Sequence, residues 1–320
     1  MKKRIVTLLL TSVLALSSCG NSGQPSQADK PSGESVNPEQ TEAQDTDTED
    51  TDTEDTESET VPETTEDPVP VFEEITVTDN EECSIKITGI DSENMFGYSL
   101  KLNLENKSTD KTYMFSVTGA AINGVQTEPL FAQEVAAGKK ANSDINFSDS
   151  ALSDNGITDF TDIELSFRVY DSNDWTADAV AEETVHVYPY GEDKATVFER
   201  QPQNTDNIIV DNENVTVIVT GYENDSIWGY TVNLFLVNKS DKEIMFSASE
   251  ASVNGYMVDP FYATSVMAGK CTFSSMSWSN TTLEENDITE VTEIEFTLRA
   301  YDSNDWSTGD FANEAITLNP

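Results

Sequence analysis

The sequence predicts an all-β protein: two antiparallel β-sandwiches in tandem, preceded by a leader and an acidic linker. Three observations carry this expectation. The second half repeats the first at a spacing of 131 or 132 residues. Apolar and polar residues alternate at period two, the signature of half-buried antiparallel strands. Gly, Asn, Asp and Pro interrupt the alternation at short intervals, as turns between strands do. The repeat shows most plainly in Tyr170-Asp171-Ser172-Asn173-Asp174-Trp175, which returns unchanged as Tyr301-Asp302-Ser303-Asn304-Asp305-Trp306. Asn106-Lys107-Ser108 likewise matches Asn238-Lys239-Ser240, and Ala137-Gly138-Lys139 matches Ala268-Gly269-Lys270. Solenoid units run to about 20–50 residues, so a period this long is a whole duplicated domain.

Charge narrows the range of partners. The 320 residues hold 60 acidic and 17 basic side chains, a net charge of −43. Such a surface repels phosphate backbones and anionic headgroups, which argues against nucleic acid and against electrostatic membrane binding. Three cysteines do not make a disulfide framework. Cys83 alternates with Ile85 and Ile87 and reads as a core thiol. Cys271 falls where the first copy has Lys140, so the copies share no cysteine position, and a bridge between the domains is left open.

The chain divides into four parts. Residues 1–18 form a signal peptide: Lys2-Lys3-Arg4, then an apolar run from Ile5 to Leu16 too short for a membrane span of about 20 residues. The ending Leu16-Ser17-Ser18-Cys19 resembles the lipobox of bacterial lipoproteins, which implies cleavage before Cys19 and diacylglycerol on its thiol. Two or more acyl chains anchor a protein stably. Residues 19–70 are the linker. From 20 to 70 they carry 16 Asp or Glu against one Lys, with no aromatic, Leu or Ile. They cannot bury enough apolar surface to offset chain entropy and are expected to be disordered. As a flexible chain they span roughly 40 Å, and more under self-repulsion.

The first sandwich is assigned to 71–190 and the second to 191–320. Tyr98, Leu100, Leu102 and Leu104 predict an inward face, answered by Tyr230, Val232, Leu234 and Leu236. Asn123-Gly124 and Asn254-Gly255 predict hairpin turns. Ser150–Phe160 predicts one helical turn near Leu152, ended by Asn155-Gly156. Ile163, Leu165, Phe167 and Val169, then Val185 and Val187, give the last strands. Seven or eight short strands in about 120 residues suit a sandwich, and residues 189–206 suit an interdomain connection.

Phe96-Gly97-Tyr98 and Trp228-Gly229-Tyr230, the Asn-Lys-Ser and Ala-Gly-Lys matches, the Ile122-Asn123-Gly124 and Val253-Asn254-Gly255 turns and the repeated hexapeptide together resemble an immunoglobulin-like domain of Gram-positive bacterial surface lipoproteins. The resemblance covers both domains from residue 71 onward. It implies an immunoglobulin-like sandwich at the outer face of the cell membrane and assigns no chemistry. The Cys…Trp…Cys core of antibody domains is absent.

Few residues suggest chemistry. The lone histidine, His186, has Thr317 at the matching position of the second copy and reads as a strand residue. No nucleophile elbow, zinc-protease motif or phosphate-binding glycine loop occurs, so no catalytic residue is assigned and no cofactor beyond calcium is considered. If the acidic stretches Asp91/Glu93 and Glu223/Asp225 are the loops between the second and third strands of an immunoglobulin order, they share an end with the hexapeptides. Asp91, Glu93, Asp171, Asn173 and Asp174 would then surround one calcium ion, and Glu223, Asp225, Asp302, Asn304 and Asp305 a second. The other reading makes each hexapeptide a turn, with local hydrogen bonds from Asp171 and Asn173 and with Trp175 packed over the sandwich end. Carbohydrate binding through Trp175 or Trp306 is weighed against burial of those rings. Phe235 and Phe273 occupy outward positions where the first copy has Asn103 and Asn142. With Cys271 they form either a partner surface or the contact between domains. The expected function is a non-catalytic, lipid-anchored surface protein whose sandwiches bind a protein or glycan. The alternative is a spacer or adhesin rigidified by calcium. A transporter solute-binding subunit does not fit a chain without long helices.

Overall fold

The computed structural model describes residues 72–320, apart from Phe96, Ser148, Asp149, Trp306 and the side chains of Ala151 and Asp225. The expected signal peptide, the expected lipidation at Cys19 and the expected 19–70 linker lie outside the described residues. The first copy contains β1 (Ile75–Asp79), β2 (Cys83–Asp91), β3 (Tyr98–Asn106), β4 (Tyr113–Ile122), β5 (Val125–Thr127) and β6 (Ala132–Val135). It continues with β7 (Lys140–Phe147), α1 (Ser150–Asp154), β8 (Ile163–Asp171) and β9 (Ala181–Val187). The second copy repeats the set as β10 (Asn207–Asp211), β11 (Val215–Ser226), β12 (Gly229–Asn238), β13 (Ile244–Val253), β14 (Tyr256–Met257) and β15 (Ala263–Val266). Its remainder is β16 (Cys271–Trp278), α2 (Asn280–Glu285), β17 (Ile294–Asp302) and β18 (Asp310–Leu318). Each copy has one or two strands more than expected, because β5 and β6, like β14 and β15, are too short to show as alternation.

In the first copy one sheet runs β1-β2-β3-β7, and the facing strands run β5-β4-β8-β9 with β6 beside β4. The second copy has β10-β11-β12-β16 facing β14-β13-β17-β18, with β15 beside β13. Leaving out β1 and β10, this is the A-B-E and C′-C-F-G arrangement of immunoglobulin-type sandwiches.

Period two places the core as expected. Cys83, Ile85, Ile87, Leu100, Leu102 and Leu104 from one sheet meet Phe115, Ile163, Leu165 and Val169 from the other, all buried. Val215, Val217, Val219, Val232, Leu234 and Leu236 meet Phe246, Leu298 and Ala300 in the second copy. There Trp278 is buried too, and its indole N–H donates to the Val258 carbonyl at 3.0 Å. The β4–β5 and β13–β14 hairpins turn on Asn123-Gly124 (φ 51° and 83°) and Asn254-Gly255 (φ 50° and 81°), the paired positive φ of a type I′ turn. α1 holds the buried Leu152 and is followed by Gly156 at φ 77°.

The two sandwiches belong to one compact unit. β5 of the first pairs in parallel with β16 of the second at Val125 and Cys271, so half of each sandwich joins a single nine-stranded sheet.

Candidate functional site

The repeated hexapeptide begins at the end of β8 and β17 and forms a turn. Asp171 Oδ1 accepts the Asn173 amide at 3.0 Å, and Asp302 Oδ1 accepts the Asn304 and Asp305 amides at 2.9 and 3.2 Å. Asp174 Oδ1 takes the Thr176 amide and hydroxyl, and Asp305 Oδ1 the Ser307 amide and hydroxyl. These hydrogen bonds hold the Asp174 and Asp305 carboxyls below the usual range, since they favour the charged form.

The acidic stretches do not join them. Asp91 ends β2 opposite Ser99 and Glu93 follows it before β3, whereas the register places Tyr113 opposite Asp171 at the Asn106 end of β3. The nine residues of β3 separate the two groups by roughly 25–30 Å. Glu223 and Asp225 lie at the corresponding far end of β11. The expectation fails because β2 and β3 neighbour each other in one sheet, so their connection is not the one that crosses between sheets. That crossing is 107–112, and it reaches the hexapeptide through the Ser172 amide and Thr112 carbonyl at 2.9 Å. It brings Lys111 toward Asp174, and Lys242 toward Asp305 in the second copy. Among the described residues no three His, Cys, Asp or Glu side chains are grouped to hold a metal ion. Trp175 is 73% exposed and does not pack over the sandwich end; Trp306 lies outside the described residues.

Phe235, Cys271 and Phe273 are covered from within the molecule and are not a free partner surface. The Phe235 and Phe273 ring centroids are 5.0 Å apart, and Phe198 of the connection meets them at 6.4 and 5.9 Å. The Phe198 amide donates to the Asn123 carbonyl at 2.8 Å, so the connection docks on one sandwich and presents its ring to the other. Arg200 lies over Phe235 at 5.6 Å and grips Asp206 with two hydrogen bonds of 2.7 Å. The Cys271 amide donates to the Gly124 carbonyl at 3.1 Å, and burial raises its thiol to about 11. Cys83 and Cys271 are both free thiols.

Gln126 on β5 completes the junction. Its amide nitrogen donates to the Ser265 carbonyl at 2.8 Å, and its amide oxygen accepts the Met267 N–H at 2.7 Å. Lys270 pairs with Glu164, both largely buried. His186 approaches that Glu164 at 3.6 Å and contacts Asp162 at 2.7 Å. The lone histidine is therefore a structural strand residue beside the junction.

Beyond Cys271 and Val125 the joined strands part and enclose an open groove of about 700 Å³, lined by both sandwiches. Leu130 from the first, and Trp228 and Phe261 from the second, line it while 101%, 68% and 87% exposed. Gly229 determines where Trp228 sits: at φ 97°, with a Cβ that would fall 2.1 Å from the Trp278 carbonyl oxygen, the position admits only glycine. The groove floor carries Thr272, Ser274, Ser275 and Ser277 of β16, with Asn146 of β7. The sequence held a partial sign of this site, since Glu128-Pro129-Leu130 matches Asp259-Pro260-Phe261 at 131 residues. Only the docking of the copies sets the two stretches along one groove.

No family model matches the chain, and no curated protein matches it. Among solved structures it is similar to the crystal structure of the Amycolatopsis orientalis exo-chitosanase CsxA, at 13% identity and a TM-score of 0.22. That similarity covers 75% of this chain and 27% of the chitosanase chain, so this chain spans about a quarter of that enzyme's length.

Proposed function

We propose that the chain is a membrane-anchored lipoprotein at the outer face of a bacterial cell membrane, and that its two sandwiches act as one non-catalytic binding unit. The observation that carries the binding reading is the shared groove, to which each sandwich supplies part of the lining. A groove of that volume falls within the range of ligand sites. The fixed junction favours binding, because walls already held in place need little ordering when a ligand arrives. The basic leader, the apolar run and Cys19 support lipid anchoring, and the acidic linker supports display away from the bilayer. Calcium-dependent rigidity is not needed in this reading, since Gln126, Phe198 and the β5–β16 pairing already hold the sandwiches together.

The test is expression of the full chain and of Cys19→Ala in a bacterium with a lipoprotein pathway. The full chain is expected in the membrane fraction and open to protease added outside the cell. Cys19→Ala is expected to leave the lipid-bound fraction. Full-length protein found in the cytoplasm overturns the anchoring.

A further inference from the structure

We infer that the groove between the two sandwiches takes a neutral oligosaccharide, an assignment that rests on reading this groove as the ligand site. The first argument is charge. The chain carries 60 acidic residues, yet among the described residues lining the groove Glu128 alone is charged. A cationic ligand is recognised by carboxylates and an anionic one by Arg or Lys. This lining offers neither set.

The second argument is the chemistry of the lining. A sugar ring presents C–H groups on its faces and hydroxyls around its rim. The exposed rings of Trp228 and Phe261 give apolar planes for such faces, and covering them removes apolar surface from water. Ser275 of the lining is exposed, and its hydroxyl both donates and accepts, matching a ligand whose own hydroxyls do both. Asn146 accepts from Ser99 at 2.6 Å through its oxygen, which keeps its NH₂ as a donor.

The third argument concerns the alternative occupant, an extended peptide added to the edge of β16. That edge is closed at both ends. The Cys271 amide is bonded to Gly124, and Ser277 exchanges hydrogen bonds with Phe261 at 2.7 and 3.3 Å. Phe273 and Ser275 are the residues between them whose backbone faces the groove, too short a stretch for a β-strand of ordinary length.

The experiment is calorimetric titration of the full chain with cellohexaose, maltohexaose and xylohexaose, with hexagalacturonate as the anionic counterpart. At least one neutral hexaose is expected to bind at millimolar concentration, and hexagalacturonate is not. Trp228→Ala and Phe261→Ala are each expected to weaken binding about tenfold, whereas Trp175→Ala, outside the groove, leaves it unchanged. Both groove side chains are exposed, and an unchanged melting temperature confirms that each variant is folded. Absence of binding by all three neutral sugars overturns the assignment, as does binding indifferent to Trp228 and Phe261, or preference for hexagalacturonate. A Ser/Thr-rich extended peptide, titrated in parallel, separates the two levels of the argument. If it binds through Trp228 and no sugar does, the groove remains the ligand site and the oligosaccharide assignment falls. If neither binds, both fall.

Discussion

Asn106 and Asn238 show what the repeated Asn-Lys-Ser is for. Each is buried. The Asn106 NH₂ donates to the Lys111 and Val135 carbonyls at 2.8 and 2.7 Å, and its oxygen accepts the Ser108 amide at 2.9 Å. Asn238 repeats this with Lys242, Val266 and Ser240. Removing one such side chain strands several buried backbone groups, each worth about 1–3 kcal/mol. Asn106→Ala is expected to cost about 3 kcal/mol in denaturant unfolding, and Asn106→Asp to recover little, because a carboxylate cannot donate to the two carbonyls. The hexapeptide aspartates are likewise committed to their own turns. Millimolar calcium added after chelation is therefore expected to leave the melting temperature unchanged. A rise abolished by Asp171→Ala with Asp302→Ala would make the turns metal sites.

At the scale of elements, the asparagine of each β-hairpin ties its turn to a distant segment of the chain. The Asn123 oxygen accepts the Thr161 and Asp162 amides, both at 3.0 Å, and its NH₂ donates to the Asp159 carbonyl at 2.7 Å. Asn254 does the same with Thr292, Glu293 and Glu290. The Asn of each hairpin thus supplies the positive φ and also pins the segment after the helix. Gly229→Ala is expected to lower the melting temperature and displace Trp228, since the new methyl group meets backbone that has no room to move. The connection has a pH-dependent clasp. The Arg200 guanidinium beside Asp206 holds its carboxyl down at about 2, below an ordinary Asp near 4. A lowered folded-state pKa contributes stability that is complete above the unfolded value and lost as pH falls through the folded one. The melting-temperature difference between the native chain and Asp206→Asn is therefore expected to be constant above about pH 5 and to vanish toward pH 2.

For the whole molecule, the decisive feature is that the copies are not interchangeable. The first lends the edge of β5, with Gln126, to the junction, and the second lends the edge of β16, with Cys271 and Phe273. Where the second copy has Phe235 and Phe273, the first has Asn103 and Asn142, which hydrogen-bond each other at 2.9 Å. An aromatic pair there can be covered by Phe198, while the amide pair suits water. Loss of a well-packed phenylalanine costs about 3 kcal/mol or more. Gln126→Ala with Phe198→Ala is accordingly expected to split one calorimetric transition into two and to raise the radius of gyration in X-ray scattering. A single unchanged transition would show that the sandwiches are held by something else.

What the sequence by itself determined was local and repeated. Alternation at Ile85, Ile87, Leu100, Leu102 and Leu104 fixed which faces are buried, because a strand's side chains can only alternate. Asn-Gly fixed the hairpins, because only such residues accept paired positive φ. The outward Phe235 and Phe273 marked an apolar face, but left open whether a partner or the other domain covers it. What only the tertiary structure decided was which distant stretches meet. Sheet order separated Asp91 and Glu93 from the hexapeptide, since a strand's two ends lie far apart and topology chooses which loops share an end. Edge pairing of β5 with β16 then brought Leu130, Trp228 and Phe261 to one groove. No period in the sequence encodes that meeting, because it arises from a contact between two folded units and not from the folding of either.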